Sequence, residues 1–191
     1  WIGDRQGILC EEFTYMNAIQ TVLPRGLNVV PVATDVKGMK ASGKGGLADV
    51  LENWDYSRGR RPHLMYTVTY VPETLVTWEM WWLSRGCDFS IGQNPTGTLM
   101  PVERRREIYA LCQKYDIIII EDEPYWNLQY RSARNKADDG QVQEPGAASS
   151  RGGTFIDHLL PSYVSIDVDG RVVRLDTFSK IIAPGARLGW V

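Results

Sequence analysis

Histidine and cysteine, the side chains that most often build zinc sites and disulfide frameworks, are scarce in this sequence. The 191 residues contain two histidines and three cysteines, and no two cysteines stand in a C-x-x-C pattern. We therefore expect no metal site and no disulfide framework, and we expect a reducing, cytoplasmic compartment. Cys10 and Cys112 lie in apolar patterns, which predicts that they are small core residues.

Long apolar runs and stripes of positive charge are also missing. No run reaches the length of about 18 apolar residues that a membrane span needs. The formal net charge is -2 and the sequence pI is about 5.7, which disfavours nucleic acid and anionic membranes as partners. The short run Arg104, Arg105 and Arg106 lies in a helical pattern, so we interpret it as a solvated helix face rather than a phosphate-contact patch.

Apolar runs alternate with helical patterns along the chain, whose composition is that of an ordinary globular domain. This alternation predicts an α/β fold with a mostly parallel sheet flanked by helices. Residues 43–46 are predicted to be a flexible connection, and residues 132–153 a surface loop. The predicted strands are residues 7–11, 28–32, 63–68, 116–122, 163–166 and 171–176, and the predicted helices are residues 16–23, 47–54 and 101–115.

The strand over residues 116–122 contains four consecutive isoleucines, which imply burial on both faces of a sheet. Ligands of such sheets gather at the carboxyl ends of the strands, and Asp122 lies at this end. A carboxylate at the mouth of an apolar strand needs a positive partner to offset its desolvation. A helix N-cap or a loop salt bridge is the alternative interpretation of Asp122.

Two further polar segments fall between predicted elements. The segment Asn94-Pro95-Thr96-Gly97 has the composition of a turn, and a turn alone accounts for it. Lys180 follows an apolar strand and precedes Ile181 and Ile182. A poorly solvated lysine has a lowered pKa and a nucleophilic amine, whereas the alternative is an exposed loop lysine.

Taken together and in this order, the three segments resemble the class I pyridoxal-phosphate (PLP) aminotransferases of fold type I. The closest likeness is to the aromatic-amino-acid, kynurenine and 2-aminoadipate branch. It spans the chain from Leu9 to Trp190 and is most specific over residues 167–172 and 176–181. The resemblance implies that residues 1–191 are part of the large, PLP-binding domain. It also implies that the N-terminal phosphate cup, and the C-terminal small domain with its substrate-carboxylate arginine, lie outside the chain.

The resemblance implies a catalytic role for three residues. Lys180 would hold PLP covalently and then move the proton between the substrate Cα and the cofactor C4′. Asp122 would keep the pyridine nitrogen protonated. Tyr125 would hydrogen-bond the phenolic oxygen of the ring.

Five more residues are implied as contacts of the cofactor. Asn94 would reach the phenolic oxygen from the other side, and Tyr15 would stack on the pyridine ring. Arg187 would pair with the phosphate, and the hydroxyls of Thr177 and Ser179 would lie near that phosphate.

The implied function is transamination between an L-amino acid, with aromatic amino acids or 2-aminoadipate favoured, and a 2-oxo acid such as 2-oxoglutarate. The parent protein would be a homodimer without nucleic-acid or membrane partners, and the fragment alone is expected to be inactive. Two alternatives remain: a PLP-binding regulatory domain of aminotransferase type, or an inactive fragment.

Residues 70–90 interrupt the family pattern, which would run from Thr69 directly to Ile91. The segment contains three of the seven tryptophans, and its 21 residues correspond to 63 nucleotides at three per codon, in frame. Codons compatible with Thr69, Tyr70 and Ser90 can supply a splice donor and acceptor. We interpret the segment as a translated intron, and a lid over the active site is the alternative.

Overall fold

The computed structural model describes residues 6–69, 95–128 and 159–191. The predicted loop over residues 132–153, the anomalous segment 70–90 and Asn94 lie outside the described residues. In chain order the strands are β1 (Gly7–Glu11), β2 (Asn28–Val32), β3 (Thr34–Asp35), β4 (Gly38–Met39), β5 (Leu64–Val68), β6 (Ile118–Asp122), β7 (Val172–Thr177) and β8 (Gly189–Trp190), and the helices are α1 (Met16–Val22), α2 (Leu47–Glu52), α3 (Val102–Lys114) and α4 (Tyr163–Ile166).

Six of these strands form one sheet in the order β2-β1-β5-β6-β7-β8. The first five run parallel to one another, and β8 is antiparallel to β7. Strands β3 and β4 form a separate antiparallel pair. The predicted α/β class with a mostly parallel sheet is confirmed, because helices connect neighbouring parallel strands as this topology requires.

The core lies on both faces of the sheet. The larger cluster joins Leu9, Met65 and Ile119 to side chains of α2, α3 and α4. On the opposite face, Ile8, Cys10, Tyr66 and Val68 pack with side chains of α1. Cys10 and Cys112 are buried free thiols, as predicted.

The isoleucine-rich strand is not buried throughout, so the prediction of burial on both faces is wrong at one position. Ile117 and Ile119 are fully buried, whereas Ile118 is 45% exposed. Side chains alternate between faces along a strand, which places Ile118 on the α1 side. Helix α1 packs over β1 and β5, and within the described residues it leaves the start of β6 uncovered.

Residues 163–166 form the short helix α4, so the predicted strand is wrong. The carboxylate of Glu121 accepts the backbone N–H groups of Tyr163 at 2.6 Å and Val164 at 3.1 Å. These are the donors that a helix start leaves without intrahelical partners, and a negative charge stabilises them there. A contact distant in sequence therefore overrides the β-branched composition of the segment.

The arginine run is not a solvated face throughout, which corrects the prediction at Arg105. Arg105 is 0% exposed and donates to the carbonyl oxygens of Met100 at 3.1 Å and Pro161 at 2.7 Å. Its position is one and two helical turns before Ile108 and Cys112, which share its buried face. Arg106, one position further along α3, is exposed.

Residues 43–46, predicted as a flexible connection, form a hydrogen-bonded turn. The N–H of Gly46 donates to Gly43 O at 2.9 Å, and the N–H of Gly45 donates to the Asp49 carboxylate at 2.7 Å. A Cβ on Gly46 would lie 2.7 Å from the carbonyl oxygen of Ser42, so the close approach requires glycine. None of the helices in the described ranges has the length and hydrophobicity of a membrane span.

Candidate active site

The carboxyl ends of the five parallel strands lie along one edge of the sheet. The register pairs Val68 of β5 with Asp122 of β6, and Asp122 with Leu175 of β7. The segments that leave β6 and β7 at this edge carry Tyr125 and Lys180. The topology thus brings residues that are distant in sequence to the edge where α/β sheets bind ligands.

Asp122 is half-buried and has one hydrogen-bond partner in the described residues. The hydroxyl of Tyr66 donates to its Oδ2 atom at 2.6 Å. Burial raises the pKa of Asp122, the hydrogen bond from Tyr66 lowers it, and the charge of Asp176 raises it again. In the described part of the chain Oδ1 accepts no hydrogen bond, and Asp122 neither caps a helix nor forms an ion pair.

Tyr125 and Lys180 come together beside Asp122. Tyr125 is 4% exposed, and the Lys180 Nζ atom lies 5.4 Å from the centroid of its ring, on the ring face. The pKa of Tyr125 is raised by burial and then by the charges of Asp122 and Tyr15. These electrostatic contacts place Asp122, Tyr125, Lys180 and Tyr15 in one neighbourhood.

Lys180 itself is exposed, so the prediction of a poorly solvated lysine is wrong for the described environment. Residues 178–183 form a tight turn in which the N–H groups of Ile181, Ile182 and Ala183 converge on Phe178 O at 3.2, 2.9 and 3.2 Å. This turn directs the chain along the surface from the end of β7. Contact with the Tyr125 ring, rather than burial, holds the amine near the strand ends.

The three predicted phosphate contacts lie in and around this turn: Thr177 ends β7, Ser179 is in the turn, and Arg187 comes after it. The hydroxyls of Thr177 and Ser179 are 3.0 Å apart, and the Ser179 N–H donates to Thr177 Oγ1 at 3.1 Å. Arg187 is exposed with a left-handed φ of 49°, and its guanidinium donates to Pro184 O at 3.4 Å. The structure therefore joins the two hydroxyls, while no contact in the described residues joins Arg187 to them.

Tyr15, which lies within electrostatic reach of Tyr125, and the residues that follow Asn94 are on separate segments of the chain. Tyr15 precedes α1 as its N-cap residue, is exposed, and accepts a hydrogen bond from the Asn17 amide at 2.6 Å. Asn94 lies outside the described residues, and Pro95 and Thr96, which follow it, lie in a turn. The roles assigned to both residues stay predictions.

Sequence reasoning missed Tyr66 and a set of buried carboxyls behind the site. Glu123 is 1% exposed, and neither of its carboxyl oxygens has a hydrogen-bond partner in the part of the chain that the structure describes. Burial and the nearby charge of Glu121 raise its pKa well above the usual range. A signal existed for Tyr66, because strand alternation places it on the same face as Val68 and the paired Asp122.

Positive charge near these carboxyls comes from Arg105 on α3 and, at the strand ends, from Arg174 on β7. The Arg174 guanidinium binds Asp176 through two hydrogen bonds of 2.7 and 2.8 Å and lies 4.6 Å from the centroid of the Trp126 ring. Paired hydrogen bonds of this kind fix both side chains. Asp176 is therefore paired with Arg174, whereas Asp122 has no ion-pair partner among the described residues.

Comparison of the sequence with known proteins identifies the family to which the chain is similar. Residues 92–191 match the sequence profile described as aminotransferase class I and II. An aromatic amino acid aminotransferase of Schizosaccharomyces pombe is 38% identical over 96% of this chain and 33% of its own length. An L-tyrosine:2-oxoglutarate aminotransferase of Serpula lacrymans is 42% identical over 96% of this chain and 29% of its own length.

Solved structures agree in fold. Aminotransferase Aro8 from Candida albicans superposes with a TM-score of 0.72 at 36% identity, over 98% of this chain and 33% of that chain. A kynurenine aminotransferase from Pyrococcus horikoshii superposes with a TM-score of 0.66 at 27% identity, over 100% of this chain and 35% of that chain. The chain spans about a third of the length of the curated relatives that it matches. From its strand order, its motifs and these matches, the chain belongs to the family of class I and II aminotransferases.

Proposed function

We propose that the complete protein containing residues 1–191 is a PLP-dependent aminotransferase. It would transfer the amino group of an aromatic L-amino acid to a 2-oxo acid such as 2-oxoglutarate. The observation that carries this proposal is Asp122, a carboxylate at a strand end with one oxygen bound by Tyr66 and the other without a hydrogen bond from any described residue. The named activities of the relatives in Schizosaccharomyces pombe and Serpula lacrymans support the choice of substrates.

The chemistry of Asp122 fits PLP. Since burial raises its pKa, the ionised carboxylate gains from a nearby cation, and a protonated pyridine nitrogen is such a cation. When bound, PLP supplies an electron-withdrawing ring that stabilises the charge left on a substrate Cα after its proton departs. Asp122 would hold the proton at the ring nitrogen through its free Oδ1.

Lys180 and Tyr125 would contact parts of the cofactor other than the ring nitrogen. The Lys180 amine would hold the cofactor covalently. Once the substrate amine displaced it, the freed amine would take the proton from the substrate Cα and deliver it to the cofactor C4′. The Tyr125 hydroxyl makes no hydrogen bond within the described residues, so it is available to donate to the phenolic oxygen. The adjacent Thr177 and Ser179 hydroxyls, with Arg187, would hold the phosphate, and Tyr15 and Asn94 would contact the ring.

Covalent labelling tests the lysine assignment. We would incubate the complete protein with PLP, reduce it with borohydride and map the modified lysine by peptide mass. Lys180→Ala should lose the label, whereas the exposed control Lys37→Ala should keep it. A label that survives in Lys180→Ala would show that another lysine holds the cofactor.

Asp122→Asn tests the carboxylate. An amide cannot hold the ring proton as a carboxylate does, so the variant should keep PLP and lose most of its turnover of tyrosine with 2-oxoglutarate. Glutamate formation is the readout. Full turnover in this variant would refute the role of Asp122.

We also infer that the protein works in the cytoplasm as a homodimer, with residues 1–191 as part of its large domain. The buried free thiols of Cys10 and Cys112 support a reducing compartment. The dimer rests on the family resemblance, and light scattering on the complete protein would measure it.

A further inference from the structure

Tyr66 reaches Asp122 from the neighbouring strand. The register pairs Tyr66 with Ile120, and it pairs Asp122 with Val68, two residues beyond Tyr66. The Tyr66 side chain therefore leans along the strands toward the carboxyl edge, and its hydroxyl ends 2.6 Å from Asp122 Oδ2. The short distance is that of a hydrogen bond to a charged acceptor.

In the hydrogen bond between Tyr66 and Asp122, the tyrosine is the donor and the aspartate is the acceptor. Burial and the charge of Asp122 raise the pKa of Tyr66 far above its ordinary value, so the phenol keeps its proton. For Asp122, burial and the charge of Asp176 favour the neutral acid, and the bond from Tyr66 favours the carboxylate. Among the described residues, Glu123 and Tyr125 also experience the charge of Asp122, and the Lys180 amine lies beside the Tyr125 ring.

The bond uses one of the two oxygens of Asp122. A carboxylate free to rotate offers either oxygen in many directions, whereas a carboxylate with Oδ2 fixed offers Oδ1 in few. In the described residues Oδ1 accepts no hydrogen bond. The hydroxyl of Tyr66 can thus decide both the orientation of Asp122 and its ionisation.

We propose that Tyr66 is a positioning residue of the proposed aminotransferase: its hydroxyl fixes Asp122 Oδ2 and leaves Oδ1 to accept the N–H of the cofactor's pyridine ring. The inference rests on the proposed function. It adds a residue that touches no substrate and acts through Asp122.

A purely structural role for Tyr66 makes a different prediction. The Tyr66 ring packs with Ile8, Cys10 and Val68, and Tyr66→Phe keeps that ring and removes only the hydroxyl. A matched control exists in Tyr109, a second buried tyrosine, whose hydroxyl oxygen lies 2.8 Å from Asp167 Oδ1 and 2.7 Å from Asp169 Oδ1 and donates its proton to this carboxylate pair. Tyr109→Phe removes the same chemical group far from the site.

The experiment follows the ring nitrogen in the complete protein loaded with PLP that carries 15N at the pyridine position. In the parent and in Tyr109→Phe, the 15N resonance should report a protonated nitrogen across the neutral pH range. In Tyr66→Phe, Asp122 becomes neutral more readily, so the nitrogen should lose its proton at lower pH. The kcat should fall about ten- to hundredfold, the range for losing a hydrogen bond to a charged group, with little change in KM.

Two results would overturn the inference, and they are distinguishable. If the parent carries PLP on a lysine while Tyr66→Phe titrates and turns over like the parent, Tyr66 has no positioning role and the proposed function stands. If the parent carries no PLP on any lysine after borohydride reduction, the proposed function fails and the inference fails with it. As a readout without cofactor, the 13C resonance of the Asp122 carboxyl should titrate at higher pH in Tyr66→Phe than in the parent.

Discussion

Ionisation of the buried Glu11 carboxyl should lower the stability of this chain as pH rises, and Glu11→Gln should remove that contribution. The Glu11 side chain is buried at the end of β1. The Thr67 hydroxyl donates to its Oε1 at 2.6 Å, and Oε2 has no hydrogen-bond partner over residues 6–69, 95–128 and 159–191. Glutamine has nearly the same shape and keeps an oxygen to accept the Thr67 bond, so the substitution removes the ionisation and little else.

The magnitude follows from the pKa. Burial raises the pKa of Glu11 from 4.5 to about 7, against a smaller lowering by Thr67. The native state therefore holds a proton that the unfolded chain has released, and stability is lost as pH rises through this window. At about 1.4 kcal/mol per pKa unit, ionisation of Glu11 lowers the free energy of unfolding by about 3 kcal/mol on going from pH about 4.5 to above 7.

Urea unfolding of the parent and Glu11→Gln at pH about 5 and about 7.5 measures this effect. The free energy of unfolding of Glu11→Gln, measured relative to that of the parent, should rise by at least about 2 kcal/mol from the lower pH to the higher one. This is most of the effect expected for complete ionisation of Glu11. Glu103→Gln, an exposed carboxyl on α3, is the control and should track the parent. The reasoning is refuted if Glu11→Gln and the parent keep a constant difference in stability across this range.

Two further predictions concern the buried arginine of α3 and the messenger RNA that encodes residues 70–90. Arg105→Met leaves the carbonyl oxygens of Met100 and Pro161 without their donor, so it should lower the free energy of unfolding by about 2–4 kcal/mol. Arg106→Met, on the exposed side of the same helix, should change the stability by less than about 0.5 kcal/mol; equal losses in urea unfolding would contradict the burial argument. If residues 70–90 are a translated intron, sequencing of the transcript across codons 69 to 91 should lack their 63 nucleotides, whereas mature message that retains them would favour the lid.

Local sequence was sufficient where a segment's own pattern carries the physical cause. The strand predicted over residues 7–11 and the strand predicted over residues 28–32 have the predicted bounds, because an apolar run of that length has few other ways to bury itself. Helix α3 was equally readable, since its apolar face repeats at helical spacing and Pro101 precedes it. The family, too, was readable from the order of its short motifs.

Contacts between distant residues decided the rest. Residues 163–166 became a helix because Glu121, about 40 residues earlier, supplies a carboxylate to its first N–H groups. Lys180 was expected to be poorly solvated from its apolar neighbours in sequence, yet the turn after β7 exposes it. Sequence shows which side chains are adjacent along the chain, whereas solvation depends on what packs around them in space.

The candidate site, too, has features that the sequence predicts and features that only the tertiary structure shows. The sequence by itself determined the residue types and their order, including Asp122 at the end of a buried strand. Only the tertiary structure could place the Tyr66 hydroxyl on one oxygen of that carboxylate, because the bond depends on the register of two strands 56 positions apart. Register is fixed by the packing of both sheet faces, a property of the whole fold that no short segment contains.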